Sequence, residues 1–112
     1  MTAARYDLVI DQGSDFALEF AVAEEGLVKN LTGYSARAQL RPTKGSTTLS
    51  ATFVCGIAQP TLGKVSMALS NTASSALTAG RFFYDLEIYT TNDAIVSRLL
   101  YGEVILTQEV TR

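Results

Sequence analysis

The segment from Arg81 to Tyr89, with the sequence RFFYDLEIY, constrains the fold more than any other part of this chain. Large apolar side chains occupy every second position and carboxylates stand between them, which is the pattern of a β-strand with one buried face. The apolar set is Phe82, Tyr84, Leu86 and Ile88, and the polar set includes Asp85 and Glu87. The following residues, Thr91-Asn92-Asp93, predict a turn into another apolar run. A strand followed at once by a turn predicts an antiparallel sheet.

The same two-residue period recurs along the chain and predicts an all-β fold. Alternating apolar residues lie at Tyr6-Leu8-Ile10, Phe16-Leu18-Phe20-Val22, Tyr34-Ala36-Ala38-Leu40 and Val65-Met67-Leu69, and a less regular strand runs from Leu49 to Val54. Turn-forming residues separate these runs. Seven or eight short strands with regular turns predict a sandwich or a small barrel. The 112 residues form one domain, 1–112, because a chain of this length can bury a core of its own.

Two further features are expected after residue 70. Asn71 can cap one or two helical turns from Thr72 to Leu77. The last apolar stretch divides into Ala94 to Leu100 and Gly102 to Val110, because Tyr101-Gly102 interrupts it. A glycine inside a strand predicts a bulge or bend, which would allow one strand to serve two pairings.

The charge of the chain argues against a nucleic-acid partner. Nine basic and eleven acidic side chains give a net charge of −2, whereas binding to a phosphate backbone depends on basic side chains that neutralise phosphates. No run reaches the roughly twenty apolar residues of a membrane span, and residues 1–5 do not begin a secretory signal. We therefore expect a protein made in a cytoplasm. Its 18% of charged residues favours a place in an assembly, although a Ser/Thr-rich surface explains the same value.

Side chains with catalytic or metal-binding chemistry are few. The chain has no histidine, so the commonest general base and the commonest zinc ligand are both missing. Cys55 is expected to be a structural thiol on a strand. Asp85 and Glu87 share a strand face, which we interpret as an exposed polar face rather than a catalytic pair. Three aspartates near the N-terminus lack the spacing of a calcium loop, namely Asp7, Asp11 and Asp15. These residues predict no catalytic site, no metal and no cofactor.

The face opposite the apolar side of RFFYDLEIY also carries aromatic rings. Phe83 and Tyr89 lie on it, where a ring can contact another protein, be covered by the chain's own loops or stack on a sugar. Arg37 and Arg41 lie on the polar face of the third predicted strand, where they face solvent or the rim of an interface. These four residues are the candidate partner-binding residues.

Four segments, taken in order, resemble a known family. They are LVIDQGSDF at 8–16; NLTGY at 30–34 with Ala36, Gln39, Leu40 and Arg41; SNT at 70–72 with LTAG at 77–80 and YDL at 84–86; and LLYGEV at 99–104 with VTR at 110–112. Together they resemble small Ig-like tail and baseplate proteins of bacteriophages, and are similar to the N-terminal domain of upper baseplate proteins.

The resemblance implies an Ig-like antiparallel β-sandwich of seven to eight strands with one short helical turn. It implies a non-enzymatic structural component of the virion, in the tail, neck or baseplate, which contacts other virion proteins and is present in multiple copies in a symmetric assembly. The family pattern has a tyrosine where this chain has Phe82, so a tyrosine-corner bond from a hydroxyl to the backbone is not expected at that position.

A second hypothesis is a carbohydrate-binding or capsid-decorating β-sandwich module, in which Phe83 and Tyr89 stack on sugars. For an assembly protein, an unpaired sheet edge is a template for pairing with another chain. We expect that edge in the N-terminal strand or in a final strand bent at Gly102.

Overall fold

The structure, a computed structural model, describes residues 3–24 and 26–111. Its elements are β1 Ala4–Arg5, β2 Leu8–Asp11, β3 Phe16–Ala21, β4 Ala23–Glu24, β5 Leu27–Val28, β6 Ser35–Arg41, β7 Ala51–Gln59, β8 Lys64–Leu69, α1 Asn71–Ser75, β9 Gly80–Tyr89 and β10 Val96–Thr107, with short 3-10 turns at Pro60–Leu62 and Thr91–Asp93. Eight strands form one curled sheet, and β4 pairs with β5 in a separate hairpin. The predicted all-β chain with one short helical turn is confirmed.

The N-terminal strand breaks the predicted antiparallel arrangement. β1 and β2 run parallel to β10, with Ala4 opposite Leu100 and Val9 opposite Ile105. The other pairs in the described chain are antiparallel. β2 leads into β3, which lies at the opposite edge of the sheet. The strand beside β2 is therefore not the next one in the sequence but β10, near the C-terminus. The sheet is therefore mixed. The sequence did not predict this, because side-chain alternation carries no information about strand direction.

Strand β7 joins the two halves of the sheet. Its first residues pair with β6, where Phe53 lies opposite Ala38, and later residues pair with β8, where Cys55 lies opposite Met67. The predicted strand stopped at Val54, whereas β7 continues to Gln59. The register shifts after Gly56, and this irregularity breaks the two-residue period on which the prediction depended. One half thus holds β6, β9, β10 and the N-terminal strand, and the other half holds β8 and β3.

One hydrophobic core receives side chains from both halves of the sheet. The buried face of RFFYDLEIY is confirmed, because its four alternating apolar residues all belong to this core. The rings of Phe16 on β3, Phe53 on β7 and Tyr84 on β9 meet edge to face, with 6.2 Å between the centroids in each pair. Edge-to-face contact is a favourable geometry for aromatic rings. The three rings therefore connect both halves of the sheet through the core.

Strand β10 is continuous, so the predicted break at Tyr101-Gly102 is wrong. The register shift lies between Arg98 and Leu100 instead. Gly102 allows close approach of the N-terminal strand, because a Cβ there would lie 2.5 Å from the carbonyl oxygen of Tyr6. β10 is paired on both sides, so the expectation that it forms an exposed edge is also wrong. The N-terminal strand does lie at one edge, as expected, and β3 lies at the other.

A buried tyrosine fixes the N-terminal strand where β1 gives way to β2. The Tyr84 hydroxyl donates a hydrogen bond to the carbonyl oxygen of Tyr6, at 2.5 Å. Burial raises the pKa of the Tyr84 phenol above its ordinary value, so the hydroxyl stays protonated as a donor. Phe82 makes no such bond, as expected. The hydroxyl-to-backbone bond comes from the tyrosine two residues later, on the same buried face.

The short helix α1 packs against the loop between β2 and β3. Its N-cap is Ser70, whose side chain accepts from a backbone N–H three residues later, so the prediction of Asn71 as the cap is wrong. Ser74 is completely buried, accepts from the N–H of Gly13 at 3.0 Å and donates to the carbonyl oxygen of Ser14 at 3.0 Å. The helix thereby supplies hydrogen-bond partners to Gly13 and Ser14 in this loop.

Candidate functional site

The four candidate partner-binding residues all lie on one surface, which we call the outer face. It is the side of β6, β9 and β10 that points away from the core. Arg37 and Arg41 come from β6, and Phe83 and Tyr89 come from β9. Strand register places Arg41 opposite Phe83 and Arg37 opposite Glu87. The alternation of the two strands therefore brings the predicted residues together as two neighbouring groups.

The first group is built around Arg37. Its guanidinium lies 4.3 Å from the centre of the Tyr89 ring, a cation–π contact. Its Nε donates to Glu87 at 2.5 Å and its Nη1 donates to Asp93 at 3.3 Å. These hydrogen bonds raise the pKa of Arg37 above its ordinary value. Arg37 is therefore engaged within the chain, beside the Tyr89 ring.

The second group surrounds a hollow of about 370 Å³ in the outer face. Strands β6, β9 and β10 and the loop after β6 all contribute to it. Its lining includes Gln39, Arg41, Lys44, Phe83, Asp85, Arg98 and Tyr101. Gly102 also lines it. Two of the predicted residues, Arg41 and Phe83, thus belong to a shaped depression, whereas Arg37 and Tyr89 lie beyond its edge.

Cations dominate the charge of the hollow. Arg98 pairs with Asp85 at 3.6 Å. Arg41 donates to the side-chain oxygen of Gln39 at 2.8 Å, and the Lys44 ammonium lies 5.7 Å from the centre of the Phe83 ring. Partial burial raises the pKa of Asp85, although the nearby arginines act against this. Asp85 remains the one carboxylate among the lining side chains, and three cations surround it.

Sequence reasoning missed three residues of the hollow. Lys44 lies in the loop after β6, whose path the strand pattern does not specify. Arg98 and Tyr101 are three positions apart, and a regular strand would put them on opposite faces. The register shift between Arg98 and Leu100 brings both onto the outer face, opposite Glu87 and Asp85 respectively. The prediction placed the bulge at Gly102. Only its actual position could have shown that Arg98 and Tyr101 share the outer face.

The candidate metal and thiol residues have separate environments. Asp7 accepts from Arg5 and from the backbone N–H of Glu103, which lowers the pKa of its carboxyl group. Asp11 accepts from a threonine hydroxyl, and Asp15 accepts from an asparagine. No cluster of three potential metal ligands lies within residues 3–24 and 26–111.

Cys55 packs against the core in the second half of the sheet. Burial raises the pKa of its thiol to about 11, so the thiol stays protonated near neutral pH. A thiolate is the nucleophilic form of cysteine, and this environment suppresses it. The position suits the structural thiol that the sequence predicted.

Comparison with known proteins adds no family to this description, because no family model and no curated protein matches the chain. In the described part of the chain, no helix is long and apolar enough to cross a membrane.

Proposed function

We propose that this protein is a non-enzymatic structural component of a bacteriophage virion, located in the tail, neck or baseplate. It acts there as an adaptor or assembly module, in multiple copies, through contacts with other virion proteins. The sequence resemblance in four ordered segments is the basis for the phage assignment. The proposed fold in finer detail is an Ig-like β-sandwich, which the contact of Phe16, Phe53 and Tyr84 across one core supports.

The outer face is the observation that supports contact with another protein. It presents two aromatic rings, each with a cation beside it, on three paired strands. Aromatic and arginine side chains are enriched where proteins bind one another, and rigid side chains lose little entropy when a partner docks. An ion pair between Arg98 and Asp85 and the polar side chain of Gln39 give the rim of such a contact.

The same geometry argues against sugar stacking as the main role of Phe83 and Tyr89. Lys44 lies over the Phe83 ring and Arg37 lies 4.3 Å from the centre of the Tyr89 ring. A sugar that stacked on either exposed face would have to displace a cation, and Arg37 is held by two carboxylates. We therefore favour protein contact over a carbohydrate-binding module. A capsid-decorating role would differ from the proposed one only in where the protein binds on the particle.

The proposal is tested on purified phage particles that carry the gene. Quantitative mass spectrometry of gradient-purified particles should find the protein in several copies, in the tail fraction after heads and tails are separated. Recovery in the head fraction would point to capsid decoration. Recovery only in the soluble lysate would contradict a virion role altogether.

The surface is tested by complementing a deletion of the gene with variants. The double substitution Phe83→Ala and Tyr89→Ala should reduce the amount of incorporated protein about tenfold or more, because a single interface aromatic that acts as a hot spot contributes about 2 kcal/mol or more. Val54→Ala is the control, since Val54 is an exposed apolar residue of β7 that pairs with Ala68 on β8. Equal incorporation of the two variants would exclude the outer face as the contact surface.

A further inference from the structure

Two cations in the hollow have no carboxylate within ion-pair distance among the described residues. Every other described basic side chain lies within ion-pair distance of an aspartate or glutamate. Arg41 and Lys44 alone do not, and both line the same depression, with Phe83 beside them. In a chain with net charge −2, three cations against one carboxylate in the lining are a local excess of positive charge. Such an excess favours an anionic ligand at this place.

The guanidinium of Arg41 is already positioned. One terminal nitrogen donates to Gln39 at 2.8 Å, and the other makes a long contact of 3.5 Å with the backbone oxygen of Ser46. Arginine carries five N–H donors, so these two contacts leave others for a ligand. A planar guanidinium that is already oriented loses less entropy when it binds a carboxylate. The Arg41 side chain is thus prepared to receive an anion of that shape.

The rest of the hollow narrows the class of anion. Asp85 contributes a carboxylate acceptor and Gln39 an amide, so the hollow can both donate to a ligand and accept from it. A polypeptide segment offers backbone N–H donors together with an acidic side chain, and fits both requirements. A phosphate backbone offers no N–H donors to Asp85. Lys44 over the Phe83 ring also leaves less room for a stacked sugar.

We propose that the hollow binds an acidic segment of a neighbouring polypeptide, with one of its glutamate or aspartate carboxylates between Arg41 and Lys44. This inference rests on the proposed function, because it names the chemistry of the partner that the outer face contacts. The aromatic ring of Phe83 packs against the aliphatic part of that side chain, and Asp85 accepts from the partner backbone.

The test uses a hexaglutamate peptide as the probe, titrated into isotope-labelled full-length protein at low salt and followed by NMR. Chemical shifts should change around Arg41, Phe83, Asp85 and Tyr101, with an affinity that falls as salt is added. Lys44→Gln should weaken binding about threefold to fivefold, in the range of one exposed ion pair. Arg41→Gln should weaken it at least as much.

The matched control is Lys64→Gln, since Lys64 lies on the other half of the sheet and already pairs with Glu19 at 3.8 Å. This variant should bind hexaglutamate as the unchanged protein does. The inference is overturned if no shifts occur at millimolar peptide, if Lys44→Gln binds as well as the control, or if oligothymidylate or oligogalacturonate binds more tightly than the peptide.

The virion role and the chemistry assigned to the hollow are contradicted by different results. If the protein is found in particles but hexaglutamate does not bind, only the chemistry assigned to the hollow is wrong. If hexaglutamate binds through Lys44 but the protein is missing from particles, the virion role is wrong and the hollow remains a site for acidic polypeptide.

Discussion

At the scale of single residues, Ser74 shows how one hydroxyl can join two parts of a chain. Its side chain is completely buried and connects the Gly13 N–H with the Ser14 carbonyl, sixty residues earlier in the sequence. A buried backbone N–H without a partner is costly, because it loses its bond to water and gains nothing in return. The hydroxyl of Ser74 thus stabilises the fold more through its hydrogen bonds with this loop than through the small volume that it fills.

We expect Ser74→Ala to lower the free energy of unfolding by about 1–3 kcal/mol, the usual cost of an unsatisfied buried polar group. Urea denaturation of the variant and of the unchanged protein measures this difference. Ser75→Ala is the control, since Ser75 is the exposed neighbour in the same helix. Alanine is the better helix former, so helix propensity alone should not destabilise either variant. An equal loss of stability in both variants would therefore show that the buried hydrogen bonds of Ser74 do not account for it.

At the scale of elements, the N-terminal strand depends on the absence of a side chain in its neighbour. A Cβ on Gly102 would lie 2.5 Å from the Tyr6 oxygen and 2.7 Å from Oδ1 of Asp7. Neither atom can move easily, because Tyr6 accepts from Tyr84 and Asp7 accepts from the N–H of Glu103. Glycine at position 102 is therefore required for the N-terminal strand to pair with β10.

Gly102→Ala should separate the N-terminal strand from β10 and lower the free energy of unfolding by about 1–3 kcal/mol, as other overpacked sites do. Hydrogen exchange measured by mass spectrometry should rise first in residues 4–11. Gly56→Ala serves as the comparison, because a Cβ there meets its nearest neighbour at an ordinary 3.4 Å. Unchanged protection of residues 4–11 in the Gly102 variant would show that the strand tolerates the methyl group.

These elements also show which parts of the structure the sequence could predict. Strands with one buried face, such as β9 and β6, follow from alternation, and so does the placement of Arg41 and Phe83 on one face. Alternation does not encode the parallel direction of β2, because that depends on which distant strand becomes its neighbour. It also fails at the bulge between Arg98 and Leu100, since one extra residue reverses the face of everything beyond it. The hollow lies at that bulge, so Arg98 and Tyr101 were missed.

At the scale of the whole molecule, the two halves of the sheet share β7 and one core. Phe53 lies at the centre of this connection, between the ring of Phe16 from the far edge strand and the ring of Tyr84 from β9. A side chain that contacts both halves couples their stabilities, because neither half can lose order without exposing part of the same cluster. Small single domains with one core usually unfold in one step.

We therefore expect Phe53→Leu to weaken both halves together. The substitution removes the aromatic contacts and leaves a small cavity, and it should lower the free energy of unfolding by about 1–2 kcal/mol. Hydrogen exchange under mildly denaturing conditions should accelerate by a similar factor in β3 and β8 as in β9 and β10. Val54→Ala changes the adjacent residue, which is 74% exposed, and should leave both regions unchanged. Faster exchange in only one half would mean that the halves unfold as separate units, and that β7 connects them without coupling their stabilities.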